Sequence, residues 1–129
     1  MNAFIRIGGE DFPWPDWESG MQTASSLVDG GRNVNGVFIG TQVGRTQSKI
    51  QLQWYILPAA VWGRMLQKFD PDHGGKFVNS VSYYDLVAMQ IITRNMYVSD
   101  RTANPLTTDA AGNWIYAKNC KLNLIDTGE

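Results

Sequence analysis

The side chains that most often carry catalysis are scarce in this chain, which contains one histidine and one cysteine. His73 lies in the glycine-containing segment Asp70–Gly75, so we expect an exposed loop residue and neither a histidine-based triad nor a multi-histidine metal site. Cys120 stands among apolar positions of a predicted strand, which indicates a buried, unreactive thiol.

A short acidic motif in the same segment is similar to the start of a calcium-binding loop. Asp70 and Asp72 match its first and third positions, but the fifth, sixth and twelfth are Gly74, Gly75 and Val81. Such a loop needs oxygen ligands at the fifth and twelfth positions, and only the glycine at the sixth fits. We therefore predict a helix-to-strand turn without metal.

Four carboxylates surround the aromatic segment Phe12–Trp17 near the N-terminus. They are Glu10, Asp11, Asp16 and Glu18. Two carboxylates beside sugar-stacking rings would suit a glycosidase, but all four lie in one short stretch and nothing supplies an opposing wall. No glycine pattern followed by Lys and Ser or Thr indicates a phosphate loop. The sequence thus predicts a protein that is not an enzyme and has no catalytic residue, cofactor or metal.

Composition indicates a single globular domain over residues 1–129. The chain is 43% hydrophobic and 18% charged, with a formal net charge of −1 and scattered basic residues, which argues against a phosphate-binding surface. No apolar stretch approaches the roughly 20 residues that span a bilayer. The N-terminal residues do not resemble a signal peptide, and one cysteine cannot form an internal disulfide. We expect folding in a reducing cytoplasm and no membrane partner.

Period-two alternation is the clearest structural signal. Phe4–Ile7 predicts a first strand, and Ser19–Arg32 predicts a polar loop or a segment that becomes ordered on contact. Asn33–Gln42 and Thr46–Tyr55 predict a long antiparallel hairpin around a turn at Gly44. In the second arm, one face is apolar and the other polar. The face predicted to be buried carries Ser48, Ile50, Leu52 and Trp54, and the face predicted to be wet carries Lys49, Gln51, Gln53 and Tyr55.

One helix follows the predicted hairpin. Pro58 suits a first helical turn, and an apolar stripe at helical spacing comes after it. That stripe is Trp62, Met65, Leu66 and Phe69. The remaining chain predicts two extended runs, a polar loop and a closing strand in which alternate residues share one face. These are Phe77–Tyr84, Leu86–Val98, Ser99–Gly112 and Trp114–Ile125, with Trp114, Tyr116, Cys120, Leu122 and Leu124 on the shared face.

This order of elements resembles the tail-tube fold of tube, distal-tail and baseplate-hub proteins of long-tailed bacteriophages. The chain is more narrowly similar to a family of short phage tail-module proteins from Gram-positive hosts. The matching stretches are Phe4–Ile7 with its turn, Gly44–Trp54, Tyr97–Thr102 and Lys121–Ile125. The resemblance implies a mainly β fold with one α-helix. Its architecture would be a β-sandwich or barrel with a long antiparallel hairpin that is flanked by the helix.

The resemblance also implies a function. Hairpins of six copies would join into a barrel around a channel, with DNA as passing cargo and neighbouring tail or baseplate proteins as further partners. The expected location is the virion tail, in the tube or at its junction with the baseplate. The hairpin positions expected at subunit contacts or the channel are Thr46, Ser48, Lys49, Gln51, Gln53, Phe38 and Gln42. The alternative is a carbohydrate-binding β-sandwich that uses exposed rings of Trp14, Trp17, Trp54 and Tyr55.

Overall fold

The computed structural model describes residues 4–16 and 20–128. Within these ranges the chain forms eight strands, one α-helix and one 3₁₀ turn at Pro71–His73, which confirms a mainly β fold with a single α-helix. The elements are β1 Ile5–Ile7, β2 Glu10–Phe12, β3 Met21–Arg32, β4 Phe38–Pro58, α1 Ala59–Gln67, β5 Asn79–Asp85, β6 Gln90–Val98, β7 Thr102–Thr108 and β8 Trp114–Asp126.

All strand pairs are antiparallel, and the sheet runs β2-β1-β5-β6-β8-β4-β3, with β7 also pairing β8. Both halves of the sheet contribute to one buried cluster. Ile7 and Val81 come from one half, Ile50 and Leu124 from the other, and Met65 from α1. The sheet therefore bends around a single core that the helix helps to cover.

The predicted alternation in β4 is confirmed. Ser48, Ile50, Leu52 and Trp54 are buried, and the residues between them are less so. In β8, Cys120, Leu122 and Leu124 are buried as predicted, but Trp114 and Tyr116 are exposed and Ala117 is buried instead. The alternation changes at Asn119, whose φ of +53° is tolerated better by asparagine than by most residues.

The helix also follows its predicted pattern. Pro58 is the N-cap rather than a first-turn residue, and α1 buries Trp62 and Met65. Phe69 is buried just beyond the helix, and Leu66 packs against the core while remaining partly exposed. The 3₁₀ turn that follows is capped by the Asp70 side chain. This confirms the predicted helix-to-strand turn at Asp70–Gly75.

The long hairpin exists, but the predicted turn at Gly44 is wrong. β4 runs continuously through Gly44, and its partner is β3, which we expected to be a loop. The turn lies at residues 33–37, where Asn33 Oδ1 accepts the N–H groups of Asn35 and Val37. Gly36, with φ of +77°, supplies the left-handed residue. The Asn35-Gly36 dipeptide, a common hairpin signal, was the clue that could have located this turn.

Gly44 instead belongs to a β-bulge. The pairs Ser25–Gln47 and Leu27–Val43 leave residues 44–46 of β4 opposite one residue of β3, Ser26. Gly44 has φ of +73°. A glycine in this conformation is typical of bulges, because it can adopt a positive φ without steric cost.

A second loop prediction is also wrong. Ser99–Gly112 contains β7, which pairs with β8 despite Pro105. The turn between these strands is shorter than expected and is closed by Asp109, whose carboxylate accepts the backbone N–H groups of Ala111 and Asn113. The two extended runs predicted upstream correspond to β5 and β6, but the second strand begins at Gln90 rather than Leu86 because residues 86–89 form the turn.

Candidate functional site

The distal half of the β3–β4 hairpin, residues 27–43, projects beyond the core, and we call it the arm. β8 pairs with β4 only from Lys49 onward, so the arm is a two-stranded ribbon. Its residues are all exposed. Six residues on each strand give it a length of about 20 Å. A two-stranded ribbon of this kind is marginally stable in water unless another surface supports it.

Both edges of the arm are open among the described residues. Within the described part of the chain, β3 pairs with β4 alone, and residues 38–47 of β4 pair with β3 alone. The N–H and C=O groups along such edges can pair with a strand of another chain. The arm therefore presents two strand edges that face in opposite directions.

The arm also exposes apolar side chains on both of its faces. Residues directly opposite each other in an antiparallel pair lie on the same face, so Leu27, Val43 and Ile39 share one face and Val28 and Phe38 share the other. These five side chains are 47–62% exposed. Because neither face is wholly polar, the ribbon is more suited to contact with protein than to isolation in water.

The bulge at the base of the arm brings Arg45 to a buried carboxylate. The Arg45 guanidinium donates from Nη1 to Asp126 Oδ2 at 2.5 Å and from Nη2 to Asp126 Oδ1 at 2.6 Å. The Asp126 carboxylate also accepts the backbone N–H groups of Ser48 and Gly128. Burial opposes ionisation of Asp126, but these hydrogen bonds outweigh it and hold its pKa below the usual value.

Side-chain hydrogen bonds also connect the base of the arm to the turn between β5 and β6. Gln22 of β3 donates to Tyr84 O at 2.7 Å and accepts from Leu86 N at 3.1 Å. The Ser48 hydroxyl donates to buried Asp85 at 3.3 Å. The Asp85 carboxylate in turn accepts the backbone N–H groups at positions 87 and 88. The base is therefore held by side chains from both halves of the bent sheet.

The hairpin positions expected at subunit contacts fall into three groups rather than one surface. Lys49, Gln51 and Gln53 lie on the face of β4 opposite the core, where Gln51 is flanked by Met21 and Asn123. Ser48 is buried on the core face. The third group, Phe38, Gln42 and Thr46, lies on the arm and at the bulge.

Counting along β3 places Phe38 and Gln42 on the core side of the arm. Residues of β3 alternate between faces, and Ala24, which pairs with buried Ser48, shares its face with Val28 and Arg32. Val28 pairs with Gln42, and Arg32 pairs with Phe38. Gln42 Nε2 also donates to the Thr46 hydroxyl at 3.2 Å across the bulge. Phe38 and Gln42 do not form one stripe with Lys49, because they have even numbers and Lys49 an odd one, and the two extra residues of the bulge leave this alternation unchanged.

The aromatic residues expected for carbohydrate binding do not form one exposed row. Trp54 is buried in the core, with its ring centroid 6.1 Å from that of Trp62. Trp14 and Tyr55 are exposed, and Trp14 packs against Phe4 at 5.3 Å. Trp17 lies outside the described residues. The expectation that Trp54 contributes a sugar-stacking ring is therefore wrong.

Two of the N-terminal carboxylates, Glu10 and Asp11, form ion pairs. Glu10 contacts both Arg64 and Lys68 of the helix segment, at 2.5 and 2.9 Å. Asp11 pairs with Arg6 at 2.7 Å, and the hydrogen bond between them lowers the pKa of Asp11. Glu18 lies outside the described residues. Glu10 and Asp11 thus link β2 to its surroundings by charge pairing.

The two candidate reactive side chains lie where the sequence predicts. His73 is exposed in the 3₁₀ turn, with Nδ1 2.8 Å from an Asp70 carboxylate oxygen. Cys120 is buried, and burial, with a smaller effect of Asp16, raises its pKa to about 11. Over residues 4–16 and 20–128, no group of three or more His, Cys, Asp or Glu side chains is placed to hold a metal. In the same ranges, no helix is long and apolar enough to cross a membrane.

Comparison with known proteins adds no family assignment. No protein-family model matches the chain, and no curated protein matches it either. The functional interpretation therefore depends on the arm, with its open edges and its exposed apolar side chains.

Proposed function

We propose that this protein is a structural subunit of a bacteriophage tail, which forms a hexameric ring in the tail tube or at the junction of tube and baseplate. The observation that carries the proposal is the arm, a ribbon with two open edges and apolar side chains on both faces. The phage tail, the copy number of six and the DNA channel come from the resemblance of the chain to the tail-tube fold.

The open edges favour a closed ring. If the β3 edge of one copy pairs with the β4 edge of the next, every arm uses both of its edges and none remains exposed. Such a contact joins two different surfaces, so it is heterologous and closes into a ring when the rotation between copies permits. The exposed length of β3, Met21–Arg32, provides a long ladder for this pairing.

The apolar side chains of the arm contribute to the same contact. Burying the exposed half of these five side chains would stabilise the contact by roughly 4–8 kcal/mol per copy, at 1.5–3 kcal/mol for each complete burial. Association costs about 4–15 kcal/mol in lost translational and rotational entropy. The two ranges overlap only at the lower end of the cost, so the backbone ladder between copies must supply the remainder wherever the cost exceeds the contribution of the side chains.

The polar face of β4 is suited to a wet channel. Lys49, Gln51 and Gln53 face away from the core, and Lys121 and Asn123 of β8 lie beside them. The chain has a net charge of −1. Of these five residues two are lysines and three carry uncharged amides, so each copy would offer DNA phosphates only two cations on this face.

The decisive experiment is native mass spectrometry and negative-stain electron microscopy of the purified protein. We expect rings or a concentration-dependent hexamer for the wild type and monomers for a Leu27→Lys, Ile39→Lys double variant. Ile91→Lys is the matched control, because Ile91 is 49% exposed, within the range of the arm side chains, but lies on β6 outside the arm. Strictly monomeric wild-type protein, even with partner tail proteins present, would overturn the proposal.

Proline substitution in the polar stripe is not a suitable test. Gln51 lies in a strand that pairs with β3 on one side and β8 on the other. Gln51→Pro would remove a ladder donor within the folded body and disrupt the core as well as assembly. The lysine variants avoid this difficulty because Leu27 and Ile39 are exposed.

A further inference from the structure

The cluster at the base of the arm joins segments that are far apart in the sequence. Arg45 of the bulge and Asp126 at the end of β8 are 81 positions apart. A pocket of about 200 Å³ separates the bulge from the β5–β6 turn, and Arg45, Ser48, Asp85 and Arg94 contribute to its walls. At this point charged and polar side chains connect the arm to the body through an ion pair and hydrogen bonds.

Asp126 is the centre of this cluster. Its side chain is fully buried, and its two oxygens accept four hydrogen bonds. Two come from the Arg45 guanidinium and two from the backbone N–H groups of Ser48 and Gly128. One carboxylate thus connects the bulge, the first residue of the alternating core segment and the end of the chain's last strand.

The bulge and the ion pair depend on each other. Arg45 has the same parity as Gln47 and Lys49, which pair with Ser25 and Thr23 on the face opposite the core. In a regular strand Arg45 would point to that face. Asp126 shares the core side with buried Met96, its partner in β6. The bulge turns Arg45 to the core side, and Asp126 holds it there.

Without this pair, a second register is open to the hairpin. If the ladder beyond Ser25–Gln47 continued without the bulge, Asp29 would pair with Val43 instead of Thr41, and the turn would gain two residues. A shift by two residues keeps every side chain on its face, so the alternation pattern does not oppose it. The choice between the two registers therefore depends on local contacts such as the Arg45–Asp126 pair.

We propose that Asp126, acting through Arg45, is a positioning residue that selects the bulged register and so sets the direction in which the arm leaves the core. The consequence for assembly rests on the proposed function, whereas the consequence for the arm itself does not. The end of β8 thereby controls whether the arm is presented with its open edges in the geometry that a neighbouring copy requires.

Disulfide trapping reads the register directly. The double variant Asp29→Cys, Thr41→Cys places the two thiols opposite each other in the bulged register. The double variant Asp29→Cys, Val43→Cys does so in the shifted register. In the wild-type background we expect the first pair to cross-link in preference. In Asp126→Asn we expect the preference to reverse, with hydrogen exchange of arm amides about tenfold faster or more, the factor expected for loss of a charge-assisted hydrogen bond. Asp100→Asn, which removes the charge of an exposed aspartate, is the matched control and should behave as wild type.

Arg45→Lys provides a second route if Asp126→Asn does not fold. Arg45→Lys keeps the positive charge but loses the bidentate hydrogen bonding of the guanidinium. We therefore expect a partial change of cross-linking preference and exchange rate in the same direction. If the folded variant cross-links and exchanges its arm amides as the wild type does, the inference is overturned. These readouts report the register within each chain, so they stand whether or not the wild type forms a ring. Loss of rings with unchanged cross-linking would also count against it.

Discussion

Gly30 and Gly40 lie directly opposite each other in the arm, and their backbones are too close to admit a side chain. A Cβ built on Gly30 would overlap the Gly40 Cα and the Ile39 carbonyl oxygen. On the other strand, a Cβ on Gly40 would overlap the Phe38 ring. The ring thus covers the glycine, in the way that aromatic residues often protect glycines in sheets.

Gly30→Ala should loosen the arm without unfolding the core, because the added methyl group forces the two strands apart. We expect faster hydrogen exchange at the amides of residues 27–43 and weaker assembly, with an unchanged thermal transition of the body. Gly31→Ala is the matched control, since a Cβ there has no atom within 4 Å. Equal effects of the two substitutions would refute the packing argument.

Met65→Ala should destabilise the whole domain by about 2–5 kcal/mol, the usual cost of removing a large side chain from a packed core. Met65 is fully buried on the core side of α1. Gln67 on the same helix is exposed, so Gln67→Ala is the control variant. Urea denaturation of the two alanine variants measures the difference. A loss below 1 kcal/mol for Met65→Ala would show that the helix is not part of the cooperative core.

Stability should fall in acid partly through Asp126. The pKa of Asp126 is lower in the folded protein than its usual value near 3.9. Its stabilising contribution is therefore complete above about pH 4 and is lost as the pH falls through the folded pKa. Urea denaturation between about pH 2 and 7 should give a flatter curve for Asp126→Asn than for the wild type. Asp100→Asn should leave the slope unchanged, and parallel curves for all three proteins would contradict the assignment.

Cys120 should be inert in the native protein and reactive once it unfolds. With its pKa raised to about 11 and its side chain buried, its thiolate fraction at pH 8 is roughly 200-fold below that of a free cysteine. Alkylation by iodoacetamide, followed by mass spectrometry, should therefore track global unfolding in urea. Ala110→Cys, in an exposed turn, is the positive control. Rapid native labelling of Cys120 would show that β8 opens locally.

Sequence reasoning succeeded where one face of an element is buried. The alternation from Ser48 to Trp54 and the stripe containing Trp62 and Met65 each mark a core face, and the structure confirms both. The turn at Asp70–Gly75 was predictable for a different reason. Proline, aspartate and glycine favour local turn geometry whatever the rest of the chain does.

Sequence reasoning failed for β3 and β7 because hardly any residue of these strands is buried. Nearly all of β3 is exposed on both faces, and so is β7, so neither strand shows a clear alternation of polar and apolar residues. The positive φ that suits Gly44 is common to turns and bulges, and only the pairing partner distinguishes the two. For that reason the hairpin was expected around Gly44, although the Asn35-Gly36 signal was present.

The sequence by itself determined that the chain is mainly β with one helix, and which faces of β4, of α1 and of β8 from Cys120 onward are buried. Those properties follow from local periodicity, which any solution of the fold must satisfy. Only the tertiary structure decided which strand pairs with β4, how far the arm extends, and that Arg45 meets Asp126. These depend on register and on contacts between distant segments, and a two-residue shift in register leaves the periodicity unchanged.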